Sequence, residues 1–170
     1  MIKLFLIQLF LSATIYDTEY QHVIDLGYNI PATTYIVSKN SGYDLVHNIV
    51  YLTSREYSTE VFDEIQYKDK ENGYYFSSAC FPEDGYIRSQ SRHEIAHVIE
   101  YRGNLFKDGR WFFIIRNIDV KRSISLYATE SPREAFAEAF SMYTSPLYGT
   151  KIKRLPKSVE DYLNSIKRKT

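Results

Sequence analysis

The sequence predicts a single α+β domain, from its composition, from strand patterns in its first half and from helix signals in its second half. The chain has 170 residues, 44 % of them apolar and 25 % charged, which is typical of one folded domain. The 21 basic and 21 acidic side chains cancel, so no overall field favours nucleic acid or an anionic membrane. A single cysteine, Cys80, excludes an internal disulfide framework and a cysteine-based zinc cluster.

The N-terminus carries an apolar stretch with two interpretations. Residues 1–13 have one positive charge, an apolar run and a small Ser-Ala end, as a short signal peptide does. Because the run is short and Gln8 interrupts it, a buried first helix or strand is the other interpretation. We expect a single domain over residues 14–170 and a secreted protein, with a cytoplasmic protein as the alternative. No apolar run reaches the roughly 20 residues that span a bilayer, so we expect no membrane span.

The first half of the chain predicts strands and one short helix. Residues 33–37 and 48–53 are rich in β-branched and aromatic side chains, which favour strands. Residues 59–65 place their apolar side chains on one helical face. Residues 73–77 and 85–88 are short strand candidates on either side of a Pro-Glu-Asp-Gly turn.

The second half predicts mainly helices. Ser89 is a candidate N-cap for a helix over residues 90–102, and Gly103 is a natural stop. Residues 111–119 fit a helix with one apolar face, although residues 111–115 also fit a buried strand. Ser131 and Pro132 predict the cap and first position of a helix that ends near Tyr143. Residues 158–166 predict a last short helix.

Residues 93–97 read His-Glu-Ile-Ala-His within the first of these helices. Because residues four apart lie one helical turn apart, the imidazoles of His93 and His97 point the same way and can share one cation. Glu94 is offset by about 100° around the helix, beside the open face of such a metal. The alternative is a pair of histidines that merely lie a turn apart.

Two carboxylates follow on the predicted helix after Ser131. Glu134 and Glu138 lie one turn apart among Ala, Phe, Met and Tyr side chains, so their charges need a cation or a donor. A zinc ion for Glu134 and an imidazole N–H for Glu138 would meet that need. Two alternatives stay open: Glu134 as the second member of a capping box with Ser131, and Glu138 as a partly exposed partner of a nearby arginine.

Taken together, these motifs resemble the gluzincin zinc metallopeptidases, in particular the catalytic domain of anthrax lethal factor and the related secreted Pro-Pro endopeptidases. The resemblance rests on H-E-I-A-H at residues 93–97 and on Y-A-T-E-S-P-R-E-A-F-A-E-A-F at residues 127–140. It extends over roughly residues 73–166, including Leu-Pro-Lys at residues 155–157. One departure is Ala96, where many members carry glycine, which is also small.

The resemblance implies a zincin-like fold, with a small twisted mixed sheet packed on the H-E-x-x-H helix and a mainly helical C-terminal half. It also implies the residue roles, carried over by position. Zinc would be bound by His93, His97 and Glu134, with Glu94 as the general base, Tyr127 assisting catalysis and Glu138 as the carboxylate that supports a ligand.

The function implied is that of a zinc-dependent endopeptidase acting on a peptide or protein substrate. Glu94 would take a proton from the attacking metal-activated water, and the Tyr127 hydroxyl would stabilise the developing oxyanion. The alternative is a non-catalytic binding or virion-associated module that retains the scaffold. The intact Glu94 favours the enzyme, because a purely structural zinc site needs no base there.

The substrate is expected along residues 85–88, which run directly into the predicted metal helix. We expect this segment to form a sheet edge above the zinc, to which an extended peptide adds by main-chain hydrogen bonds. Tyr86, Ile87 and Arg88 are therefore the candidate substrate-binding residues. The alternative is a solvated rim that includes Arg92.

Overall fold

The computed structural model describes residues 2–38, 40–53, 80 and 83–168, with side chains from residue 13 onward. Its first part contains helix α1 (Ile2–Asp25) and strands β1 (Thr34–Ser38), β2 (Gly42–Asp44) and β3 (Ile49–Thr53). The later helices are α2 (Tyr86–Gly103), α3 (Arg110–Ile115), α4 (Ile118–Ile124), α5 (Pro132–Tyr143) and α6 (Lys157–Ser165), with 3-10 turns at Leu105–Asp108 and Tyr127–Thr129. The predicted α+β class is confirmed.

The sheet has three strands in the order β1-β3-β2, so β3 is central. It runs parallel to β1 and antiparallel to β2. The strands predicted at residues 33–37 and 48–53 are confirmed to within one residue. The sequence did not indicate β2, because three residues are too few to show an alternating pattern. The elements predicted at residues 59–65 and 73–77 lie outside the described residues.

Helix α2 begins earlier than the sequence indicated, and the strand predicted at residues 85–88 is wrong. Gly85 precedes the helix with φ 72°, a left-handed conformation that suits glycine, and Tyr86 and Ile87 are buried in the first turn. A short apolar segment fits a helix face as well as a strand, which explains the error. Ser89 is therefore inside the helix and is not its cap. Helix α2 ends at Gly103, and left-handed Asn104 closes it.

The remaining helices follow the local signals. The alternative of a buried strand for residues 111–115 is wrong, since helix α3 occupies these residues and Trp111 and Ile115 face the core. Helix α5 is confirmed: it starts at Pro132, and the Ser131 hydroxyl accepts a hydrogen bond from the backbone N–H of Glu134. Helix α6 begins one residue before the predicted start and ends one before the predicted end.

The core lies between α2 and α5 and extends to α1 and the sheet. Helix α1 runs without a break through residue 13, and its later side chains Tyr16 and Val23 are buried in that core. On the other side, Trp111 packs against Phe136 and Tyr162. In the part of the chain that the structure describes, no helix has both the length and the apolar character needed to cross a bilayer.

Candidate metal centre

Helix α2 brings the two predicted histidines together. His93 and His97 lie one turn apart and face α5, with their Nε2 atoms 3.1 Å apart. Their rings meet edge to face, 4.8 Å between centroids. His93 is buried and His97 is partly exposed. The helix thus directs two imidazole nitrogens at one point from its α5 side.

Helix α5 supplies the carboxylate at that point. The cap formed by Ser131 uses the backbone N–H of Glu134 and leaves its side chain to face α2. Glu134 Oε2 lies 3.0 Å from His93 Nε2 and 3.5 Å from His97 Nε2. The carboxylate therefore points at the histidines, and its backbone alone serves the cap.

These three donor atoms have the spacing of a zinc site. Tetrahedral zinc with nitrogen and oxygen ligands at about 2.0–2.1 Å separates neighbouring ligand atoms by about 3.3–3.4 Å. The separations among His93, His97 and Glu134 are 3.0, 3.1 and 3.5 Å. Two imidazoles and one carboxylate are also the ligand types found in catalytic zinc sites. The three side chains can therefore hold a metal ion.

Glu138 supports this cluster from inside the protein. It is fully buried, one turn after Glu134, and its Oε1 lies 3.0 Å from Nδ1 of His93. The alternative of an exposed Glu138 paired with an arginine is therefore wrong. A proton donated from Nδ1 to Glu138 directs Nε2 of the same ring toward a metal.

The charges of the cluster are coupled. Burial lowers the pKa of His93, but hydrogen bonds to Glu134 and Glu138 outweigh burial and raise that pKa to about 10. Burial likewise opposes ionisation of Glu134, yet its hydrogen bonds to His93 and His97 hold its pKa well below the usual range. Both shifts arise from the same close contacts between the imidazoles and the carboxylates.

Glu94 lies beside the cluster, with only 4 % of its surface exposed. Its Oε2 has no hydrogen-bond partner among the described residues. Burial raises the pKa of Glu94. The charges of His93 and His97 and a hydrogen bond with Ser41 lower this pKa, but burial has the larger effect. A buried carboxylate with a raised pKa and an unpartnered oxygen is suited to exchanging a proton.

Ser41 is a neighbour that the sequence did not reveal. It lies in the loop between β1 and β2, and its hydroxyl is 3.0 Å from Oε1 of Gln90, one turn before Glu94. Nothing in the local sequence distinguishes this serine from others in the chain. Its proximity to Glu94 depends on how the sheet packs against α2.

Tyr127 approaches the cluster from the 3-10 turn before α5. Its ring centroid lies 5.9 Å from that of His93, at an interplanar angle of 38°. Burial raises its pKa, and the neighbouring carboxylates of Glu134 and Glu138 add to that effect. Its hydroxyl therefore stays protonated and keeps a hydrogen to donate.

The predicted peptide-binding edge is not formed by residues 86–88. Tyr86 and Ile87 are buried within the first turn of α2, and Arg88 Nη1 pairs with Glu19 Oε1 of α1 at 2.6 Å. The assignment of these residues to substrate binding depended on a strand, so it loses its basis. The alternative of a solvated rim is also wrong for Arg92, which is completely buried.

Arg92 instead connects helix α2 to its surroundings. Its guanidinium contacts Glu19 Oε2 at 2.7 Å, the backbone carbonyl of Ser141 at 3.1 Å, and the carboxylate of Asp84. These groups come from α1, from α5 and from the segment before α2. The residue immediately before His93 is thereby fixed from three directions.

Comparison of the chain with protein-family models, with curated proteins and with solved structures found no match. The resemblance to gluzincins accordingly rests on the two sequence motifs. The convergence of His93, His97 and Glu134 is an independent geometric observation that agrees with them.

Proposed function

We propose that the protein is a zinc-dependent endopeptidase with a zincin-like fold. The observation that carries the proposal is the convergence of one donor atom each from His93, His97 and Glu134, all within 3.5 Å of one another. Glu94, beside them, supplies the group that a hydrolytic reaction needs and a structural metal site does not.

The chain's own residues divide the chemistry among them. Bound zinc would supply a water molecule of lowered pKa and polarise the scissile carbonyl. Glu94 takes the proton of the attacking water at its unpartnered Oε2 and returns it to the leaving amine. The protonated Tyr127 hydroxyl donates a hydrogen bond to the oxyanion that develops on the substrate. Glu138 holds His93 through Nδ1 so that Nε2 faces the metal.

A peptide library tests this proposal directly. The purified protein with zinc is incubated with the library, and new termini are identified by mass spectrometry, in parallel with Glu94→Gln and with chelator-treated protein. We expect only the zinc-loaded protein to cleave the peptides. The chelated protein should regain cleavage when zinc is added back. The matched control is Glu83→Gln, which changes an exposed acid before α2. This variant should cleave normally.

The same experiment separates the enzyme from a binding module. Zinc binding by both the original protein and Glu94→Gln, with no cleavage by either, would support a non-catalytic module. Unchanged cleavage by Glu94→Gln would contradict the role of Glu94.

A further inference from the structure

A second acidic residue lies on the same face of α2 as the histidines. Glu100 is seven residues after His93 and three after His97, so helical geometry places all three side chains in nearly the same direction. Along the helix axis, Glu100 is about 4.5 Å beyond His97. It therefore continues the row of metal-facing side chains by one position.

Helix α5 runs antiparallel to α2 and packs along the face that carries these side chains. Successive contacts join Ser141 to Ser89 (2.8 Å), Glu138 to His93 (3.0 Å), Glu134 to His97 (3.5 Å) and Arg133 to Glu100 (3.7 Å). The last contact lies at the N-terminal end of α5, next to the proposed zinc ligand Glu134. Glu100 is thus adjacent to the centre and not part of it.

The Glu100 carboxylate is buried but poorly satisfied. Only 4 % of the residue is exposed, and Oε2 has no hydrogen-bond partner in the described part of the chain. The nearest described cation, Nε of Arg133, is 3.7 Å away, beyond hydrogen-bond distance. A buried carboxylate oxygen without a donor is unfavourable, and a donor from a ligand would remove that cost.

Glu100 is among the residues that line a cavity of about 470 Å³. Besides Glu100, its lining includes the rings of Phe106 and Phe112, whose centroids are 5.3 Å apart. Aromatic faces attract cations, and aliphatic stems pack against them. A buried acid beside an aromatic pair is an arrangement that suits a positively charged side chain.

Two cations also line the cavity and limit its affinity. Lys107 is exposed, where water screens its charge. The side chain of Arg133 is 45 % exposed, and its guanidinium also lies over the ring of Tyr101, 5.6 Å from the centroid. If an incoming cation displaces Arg133 from Glu100, Arg133 can therefore keep its contact with the ring of Tyr101.

We propose that this cavity is a subsite for a positively charged side chain of the substrate, with Glu100 as its charge partner. The proposal rests on the proposed peptidase function, because it identifies the cavity as part of the same substrate cleft. A basic residue near the scissile bond would place its ammonium or guanidinium beside Glu100, in the position that Arg133 now occupies. Peptides with arginine or lysine at one position would then be preferred over neutral analogues.

Binding of two matched probes tests the subsite without cleavage. Nα-acetyl-arginine N-methylamide is titrated into the protein, with and without zinc, and followed by NMR; the citrulline analogue is the uncharged control of similar shape. We expect binding of the arginine probe, about tenfold weaker binding to Glu100→Gln, and little binding of citrulline. Glu83→Gln should behave as the original protein, because Glu83 lies before α2, about 27 Å of helix from Gly103.

Arg133→Gln gives a result of opposite sign. Removing the competing cation should strengthen binding of the arginine probe. If the contact between Glu100 and Arg133 only joins the two helices, the probe should not bind more strongly to this variant. This variant also keeps the proposal testable if Glu100→Gln does not fold. Binding of Nα-acetyl-aspartate N-methylamide in place of the arginine probe, lost in Arg133→Gln, would overturn the proposal.

Cleavage kinetics then separate the two proposals. A peptidase without any arginine preference over citrulline contradicts the subsite and leaves the peptidase intact. Arginine binding that depends on Glu100, in a protein that neither holds zinc nor cleaves peptides, contradicts the peptidase and identifies an independent binding site.

Discussion

Arg92 and Glu19 form a fully buried ion pair, with 2.7 Å between Nη1 and Oε2. The pair joins α1 to the helix that carries both histidines, and Arg92 is the residue immediately before His93. Removing one partner of a buried pair leaves the other charge without compensation.

Glu19→Gln should therefore destabilise the whole domain. We expect a loss of about 3 kcal/mol in the free energy of unfolding, measured by urea denaturation. Glu130→Gln, which changes an exposed acid, is the control and should have little effect. A stable Glu19→Gln variant would show that Asp84 and Ser141 are sufficient to hold Arg92.

The two acids of α5 should differ in their effect on zinc affinity. Glu138→Ala removes the acceptor at Nδ1 of His93 and should weaken zinc binding about 10- to 100-fold. Glu134→Ala removes a proposed ligand atom and should weaken binding much further. Competition with a chromophoric chelator measures both constants. Equal affinities in the two variants would mean that Glu134 is not the third ligand.

Zinc binding should release a proton at mildly alkaline pH. Because the pKa of His93 is raised to about 10, its ring is still protonated at pH 8, whereas an ordinary histidine with a pKa near 6.5 is neutral. A metal at Nε2 requires the neutral ring, so the ring proton should leave when zinc binds, in addition to any proton lost by metal-bound water. Calorimetric titration in two buffers of different ionisation enthalpy measures the number of protons released per zinc. Absence of proton release at pH 8 would contradict the raised pKa.

The same shift makes the zinc-free protein sensitive to high pH. A histidine with a raised pKa in the folded state contributes stability that is complete below the unfolded value of about 6.5. That contribution is lost as the pH rises toward about 10. Thermal unfolding of the chelated protein between pH 6 and 10 should follow this decline, and His93→Gln should not show it.

Tyr127→Phe should reduce turnover without unfolding the protein. The hydroxyl is the only group removed, and deletion of one oxyanion donor typically costs about 100-fold in kcat. The comparison variant is Tyr143→Phe, since the Tyr143 hydroxyl donates to Asn164 away from the cluster. Unchanged kcat in Tyr127→Phe would remove this tyrosine from the proposed chemistry.

The sequence was informative where local signals determine structure. Ser131 and Pro132 predicted the start of α5, and the spacing of His93 and His97 predicted their common face, because capping and helical periodicity act over a few residues. Glu134 and Glu138 were recognisable as a pair that needed partners among apolar neighbours.

Longer-range features left no such signal. Residues 86–88 fit two local structures, and the packing that buries Tyr86 and Ile87 in the first turn of α2 is not visible in the sequence. The pair between Glu19 and Arg92 joins residues 73 positions apart, so only the packing of α1 on α2 creates it. Ser41 reaches Gln90 and Glu94 for the same reason.

The antiparallel register of α2 and α5 constrains how this chain can vary. One residue inserted between Ser131 and Glu134 would rotate the following side chains by about 100° and move them by about 1.5 Å along the axis. Both acids of α5 would then turn away from the imidazoles together, even though every side chain named in the centre was still present in the sequence. Insertions and deletions are consequently excluded from the paired segments of the two helices.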